Sequence, residues 1–449
     1  MIYLVSEQAK LFDSPNYEII SKEQAYKMLE PLDIISADTE TEGLDPYTKK
    51  LLTVQLGNND FQIVIDCTTI DITFFKDLFE SDRTFMFWNA AFDLLFLYHK
   101  NIYPNNIYDG FIVEKLLWLG YSYKEHGFSL KDAGYNYLNI ELDKSVRGKI
   151  ITVGLTDEVI VYGANDIKYQ LQIKEKQEAK LVEQELEYAA KFENEFVKCL
   201  AYIKYCGVKL DVEKWKEKAK QDISKKKEYE EQLNQYVIKW CEDHAEQVTT
   251  TYYPVDISEL WNEYMINDYV SHNLPKGVIR CPLKDKDSFR VYVLKKPNPY
   301  VHIETQGDLF NGFNLSPKCT INWASTKQVV PFFELLGIHT KGIDPATKKY
   351  KTSIDEKVLA PQKNDFEIIP IFLKYKEVAK LSSTYGLDFL KNVNSVSGRI
   401  HSDFFQLGTN SGRLSSQNPN MQNLPRDTFT RSCFIPEKGN AWISADYSG

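Results

Sequence analysis

Over roughly the first 175 residues, short apolar runs alternate with helical patterns; near residue 180 the period changes to that of long helices. A strand–helix alternation demands a sheet covered by helices, so the N-terminal third reads as an α/β domain. "DIISADTE" and "LLTVQLGNNDFQIVID" read as strands joined by the polar turn "GLDPYTKK". "TFMFWN" reads as a buried strand leading into a helix from about Ala90 to Tyr98. "IYDGFIVEKLLWLG" and "EVIVYGANDIKYQLQIKEKQEAKL" read as helices. Beyond residue 180, Ala189, Phe192, Phe196, Leu200 and Ile203 recur every three or four positions and predict one buried helix face. A chain of 449 residues exceeds one ordinary core, which sets the expectation at two or three domains.

Net charge is −9, so the whole-chain field does not by itself point to nucleic acid; local basic strips still can. Nine lysines between Lys204 and Lys227, interleaved with Asp211, Glu213, Glu217 and Asp222, form such a strip. A solvated helix face accounts for it most simply, and a track for a phosphate backbone is the functional reading. The seven cysteines carry no C-x-x-C pair, which suits reduced thiols better than a disulfide frame or a zinc site. The N-terminus lacks a basic segment followed by an apolar one, and no apolar run approaches membrane-spanning length. A soluble, cytoplasmic protein without a membrane partner is expected.

Four carboxylates and a tyrosine carry the first chemical pattern. "ISADTETEGLD" puts Asp38 and Glu40 two apart on a strand, so alternation sends both carboxylates to one face. Unpaired, they repel each other and invite a divalent cation. "FMFWNAAFDLLFL" places Asn89 and Asp93 at the start of a helix, and "VYGANDIKYQ" places Tyr162 and Asp166 four apart on one helical face. Hard oxygen ligands of this kind suit phosphodiester cleavage by two Mg²⁺ or Mn²⁺ ions about 4 Å apart. A tyrosine hydroxyl can orient water without becoming charged. Each piece alone is ordinary: a strand-end D-x-E is usually a solvated cap, and Y-x-x-x-D is usually a helix pair. Their order on the expected elements makes them a site.

The set resembles the DEDDy group of 3′→5′ exonucleases, whose pattern of D-x-E, N-x-x-F-D and Y-x-x-x-D is met by Asp38, Glu40, Asn89, Phe92, Asp93, Tyr162 and Asp166. "FSLKDAGYNYLNIELDKS" matches the text between the second and third motifs. The resemblance implies an RNase H-like domain, a mixed sheet with flanking helices, over residues 1–178. It implies Asp38, Glu40 and Asp166 on one metal, Asp38 with Asp93 on a second, Tyr162 positioning the water, and Asn89 and Phe92 touching a single-stranded 3′ end.

The second half resembles family A DNA polymerases. "LAYIKYCGVKLDVEKW" resembles their thumb-helix segment, "FNLSPKCTINWASTKQVVPFFELLGI" with Asn322, Ser325, Lys327 and Gln328 their N-x-x-S-x-K-Q segment, and "YKEVAKLSSTYG" with Ser383, Thr384 and Tyr385 the stretch that connects thumb to palm. "GTNSGRLSSQNPNMQNLPRD" is the most specific match. Arg413, Gln422 and Asn423 are donors suited to minor-groove acceptors that all base pairs share; Asn420 and Arg426 can reach base edges or phosphates. The resemblance implies a helical thumb over 179–397, with an insertion at about 247–312, and the start of an α+β palm over 398–449. "AWISADYSG" resembles the opening of polymerase motif A, with Asp446 the first of two metal-binding carboxylates.

The rest of that motif, a fingers helix and the second aspartate are expected from a further segment or a second polypeptide; synthesis by this chain alone is not expected. The exonuclease beginning almost at residue 1 suggests a phage-type enzyme. By its position, the insertion is a candidate seat for a processivity factor, against the simpler reading of a decoration. The leading expectation is a proofreading exonuclease joined to the primer-template-gripping part of a polymerase. A stand-alone DEDDy exonuclease with a DNA-clamping second half and a non-catalytic DNA-binding scaffold are the alternatives.

Overall fold

A computed structural model describes residues 1–8, 14–122, 124–142, 151, 154–244, 279–280, 294–295, 298–308, 312–343 and 348–445. Two compact units divide it: residues 1–215 with 389–449, and residues 216–388.

The first unit is built on a seven-stranded mixed sheet in the order β2-β1-β5-β4-β3-β6-β7. The strands are β1 (Ile2–Val5), β2 (Glu18–Ile19), β3 (Ile34–Thr41), β4 (Leu51–Gly57), β5 (Gln62–Asp66), β6 (Thr84–Phe87) and β7 (Asn106–Asp109). Only β4 runs antiparallel to its neighbours; the other pairs are parallel. The helices up to residue 206 are α1 (Lys22–Leu29), α2 (Lys76–Phe79), α3 (Ala90–His99), α4 (Gly110–Leu117), α5 (Leu130–Leu138), α6 (Asp157–Lys168), α7 (Gln170–Glu183) and α8 (Glu187–Cys206) among the described residues. Alternation sorts the sheet's side chains. Ile35, Ala37, Leu56, Ile63 and Ile65 join one core with α1, α3, α4 and α8. Leu4 and Val64 pack with Ile160 and Ala164 of α6 on the other face.

Three local expectations change. "IYD" is strand β7, paired in parallel with β6; the helix begins only at Gly110, where Asp109 caps it. The helix expected through "EVIVYGANDIKYQ…" is two helices that break at Tyr169. On α8 the buried stripe is Ala190, Asn194, Val197, Leu200 and Ala201, while Phe192 is 58% and Ile203 49% exposed. Both stripes keep a three–four spacing, and the one with small side chains lets α8 approach α3 closely.

Residues 403–405 and 415–417 form an antiparallel pair, and Arg399–Ile400 pairs with Val208–Lys209. Gln406 holds this segment to α8 through Glu193, and its carbonyl accepts from Lys115 Nζ of α4. The lysine strip is partly consumed by ion pairs. Lys204 pairs with Asp403, Lys209 with Glu437 at 2.7 Å, and buried Lys218 with Asp222 at 2.6 Å.

The second unit has its own core, in which Trp323, Phe332, Phe333 and Phe372 come together from the helices Thr326–Leu335 and Ile368–Thr384 and the turn before them. Strands Val301–Asp308 and Gly312–Cys319 pair as a hairpin. Most of the 247–312 insertion lies outside the described residues, as do Asp446 and Ser448. No helix among the described residues is long and apolar enough to cross a membrane.

Candidate nuclease site

Strand β3 and helix α6 bring the expected carboxylates together. Asp38 and Glu40 share the β3 face beneath α6, and Asp166 lies on α6 one turn after Tyr162. One oxygen from each of Asp38, Glu40 and Asp166 lies within 4.8 Å of the other two, the grouping a divalent cation needs. Thr156 caps α6 by accepting from the Val159 amide, which fixes where the helix starts and so where both residues fall. Tyr162 is 7% exposed. Burial, a hydrogen bond with Asp166 and the charges of Glu40 and Asp38 push its phenol far up, so it stays neutral. A cleft of about 600 Å³ opens beside Tyr162 and Asp166, with Asn165, Glu158 and Tyr169 in its wall.

Asp93 stands apart from that group of three. It is 2% exposed, and its Oδ1 accepts from Thr39 Oγ1 at 2.6 Å. Thr39 sits between Asp38 and Glu40 and alternates to the opposite face of β3, so Asp93 meets the strand from the α3 side. Burial pushes its carboxyl up to about 8, against the pull of the Thr39 hydrogen bond. Asn89 is exposed and holds a left-handed backbone, φ 75° and ψ 52°, at the N-terminus of α3. For a non-glycine residue that conformation needs outside support. Asp109 supplies it: its Oδ1 accepts from the Asn89 amide and its Oδ2 from Ala90, both at 2.9 Å.

A second cleft, of about 440 Å³, lies beyond the end of β3. Leu44, Tyr47, Phe92, Lys204, His401 and Asn394 are among its lining residues. Tyr47 stacks on Tyr205, with its hydroxyl on the Tyr205 carbonyl at 2.6 Å, and its ring lies 4.8 Å from His401. Burial lowers the His401 pKa, so this imidazole is neutral, while Asp45, Asp403, Lys204 and Lys391 bring charges of both signs to the same cleft.

In the polymerase-like segment, Arg413, Asn420, Gln422, Asn423 and Arg426 are all exposed. Asn420 Oδ1 accepts from the amides of Gln422 and Asn423 at 3.1 Å, a turn that presents their side chains outward. Ser383 and Thr384 are exposed at the end of their helix, whereas Tyr385 is buried at 4%.

Several residues around the site carry no motif. Asp109, fully buried, caps α3 and α4 together; an aspartate just before Gly110 was the readable sign. Gln170 donates to the carbonyls of Asp166 at 3.2 Å and Ala37 at 3.5 Å, fastening α6 to β3. Gln55 and Thr53 face Asp38 and Glu40 from β4 through a register that spacing alone does not reveal.

Residues 17–191 match the family model described as 3′-5′ exonuclease, and residues 312–449 match that of DNA polymerase family A. DNA polymerase I of Aquifex aeolicus is 26% identical over 96% of this chain and 62% of its own length. DNA polymerase I of Caldicellulosiruptor bescii is 34% identical over 36% of this chain and 19% of that protein. The chain therefore spans less than two thirds of these relatives. Among solved structures, the POL domain of Pol1 from M. smegmatis, in complex with DNA primer-template and dNTP, is similar in fold. Its TM-score is 0.62 at 14% identity, over 93% of this chain and 58% of that one.

Proposed function

From a chain whose residues 17–191 belong to the 3′-5′ exonuclease family and whose residues 312–449 belong to DNA polymerase family A, we propose a proofreading nuclease that removes nucleotides from single-stranded 3′ ends of DNA. The observation that carries this reading is the convergence of Asp38, Glu40 and Asp166 beside a neutral, buried Tyr162. Three hard carboxylate oxygens suit Mg²⁺ or Mn²⁺; the second ion proposed for Asp38 with Asp93 requires Asp93 to leave its Thr39 hydrogen bond on the other face of β3. Such ions, when bound, activate water and stabilise the departing 3′ oxygen. Tyr162 holds the attacking water by hydrogen bonding and keeps its own proton. Water adds to the terminal phosphorus as the P–O3′ bond breaks, the proton it loses ends on the freed 3′ oxygen, and a nucleoside 5′-monophosphate leaves. The cleft of Leu44, Tyr47, Phe92 and His401 supports stacking contacts for the bases of the entering strand.

The proposed domain roles are exonuclease over 1–178, thumb over 179–397 and palm from 398. Exposed Arg413, Asn420, Gln422, Asn423 and Arg426 are proposed to grip primer-template DNA. Asp446 is proposed as a metal ligand for synthesis. The test of the nuclease reading is incubation with Mg²⁺ and 5′-labelled single-stranded DNA. A ladder shortening from the 3′ end, absent in Asp38→Ala and Asp166→Ala, is expected; unchanged digestion by those variants would sink the assignment.

A further inference from the structure

A buried amide sits behind the acidic site where an apolar residue would pack more simply. Gln55 is 1% exposed in the middle of β4, directly across the strand pair from Asp38. Cross-strand partners point to the same face, so its side chain lies under α6 with the carboxylates. Its Nε2 donates to Thr53 Oγ1 at 2.7 Å, and Thr53, also 1% exposed, is the cross-strand partner of Glu40. Two polar residues thus back the two strand carboxylates one for one. Among the described residues, no hydrogen-bond donor reaches Gln55 Oε1.

Helix α6 closes over this amide at Gly163, the residue after Tyr162. A Cβ at Gly163 would lie 2.7 Å from Gln55 Nε2 and 3.3 Å from Cδ. Glycine is the weaker helix former, so its use inside α6 reflects close approach rather than propensity. The Gln55 amide therefore fixes how near α6 comes to β4, and with it the height of Tyr162 and Asp166 above Asp38 and Glu40. A buried acceptor without a partner is tolerated where a ligand or bound water completes it.

We propose that Gln55 is a positioning residue of the acidic site: pinned by Thr53 and roofed by Gly163, its amide sets Asp38 and Asp166 at cation-binding distance and offers Oε1 as acceptor to a water of that site. The proposal rests on the exonuclease reading and deepens it. Groups behind metal ligands typically change metal affinity or activity about 10- to 100-fold when removed. A residue that only filled the core would change stability instead.

The test is Gln55→Leu in the full chain, measured three ways: thermal midpoint, binding of Mn²⁺ alone by electron paramagnetic resonance, and 3′ laddering. The expected result is an unchanged or raised midpoint, Mn²⁺ affinity weakened about 10- to 100-fold, and slower laddering that more metal partly restores. Mn²⁺ affinity equal to wild type, or an activity loss that merely follows a lowered midpoint, overturns the proposal. If Gln55→Leu does not fold, Gly163→Ala serves: it deletes no polar group, favours the helix and presses on the amide. It is expected to weaken Mn²⁺ binding likewise, and unaltered binding again overturns the idea. A wild-type chain that binds Mn²⁺ but never ladders DNA counts against the exonuclease reading, while the effect of Gln55→Leu on Mn²⁺ still decides the role of Gln55.

Discussion

Removing the Asp109 carboxylate tests how the α3 residues of the site are held. Its oxygens accept from four amides at two helix N-termini: Asn89 and Ala90 at 2.9 Å, Phe111 at 3.0 Å and Ile112 at 3.3 Å. The group has no solvent access, so water cannot substitute for it. Losing one cap costs about 0.5–2 kcal/mol, and Asp109→Ala removes two at once, which sets the loss at about 1–4 kcal/mol. Against a total stability of about 5–15 kcal/mol that is a large fraction. Asp109→Asn keeps Oδ1 and turns only the group facing Ala90 into a donor, so about 1–2 kcal/mol is expected. Guanidinium unfolding gives the totals, and hydrogen exchange at the amides of Ala90 and Phe111 localises them. Because α3 also carries Asn89, Phe92 and Asp93, laddering should slow in both variants. An Asp109→Ala protein within about 0.5 kcal/mol of wild type, with both amides still protected, would refute the double-cap account.

Tyr162→Phe keeps the ring and loses the hydroxyl that holds the water, so turnover is expected to fall about 100-fold while Mn²⁺ binding stays intact. Phe92→Ala should raise KM for single-stranded DNA about tenfold with little change in kcat, since stacking is worth about 1–3 kcal/mol per base. Asp93 has a folded pKa near 8, above its ordinary value, so the folded state holds its proton more tightly. Without divalent cation, the stability this gives is full at low pH and is lost as pH rises from about 4 to 8. Asp93→Asn should flatten that slope in thermal melts from pH 5 to 8 and raise the midpoint at the upper end; an unchanged slope contradicts the assignment.

The acidic site was legible because its signals are local. D-x-E inside an apolar strand and Y-x-x-x-D inside a helix fix which side chains share a face before any tertiary contact is known. Gln55 and Thr53 were not legible, since their place opposite Asp38 and Glu40 depends on the register of β3 against β4. The separation of Asp93 was hidden likewise: it depends on Thr39 alternating away from its neighbours and on which face α3 covers. On α8 the expected stripe holds at Leu200, which is buried, and at half-buried Ala189 and Phe196, but fails at Phe192 and Ile203. Large Phe192 and Ile203 looked like core, but Ala190, Val197 and Ala201 allow the close approach to the sheet's helices. Strand β7 was obscured because "IYD" runs straight into a helical pattern, and only its pairing with β6 defines it.

The central claim is that Asp38, Glu40 and Asp166 form one cation site. Crystals soaked in Mn²⁺ and measured at its absorption edge test it most directly. An anomalous peak bounded by these three carboxylates, and lost in Asp38→Ala, is the predicted result. A peak elsewhere with none between them, or one that persists unchanged in Asp38→Ala, would contradict it.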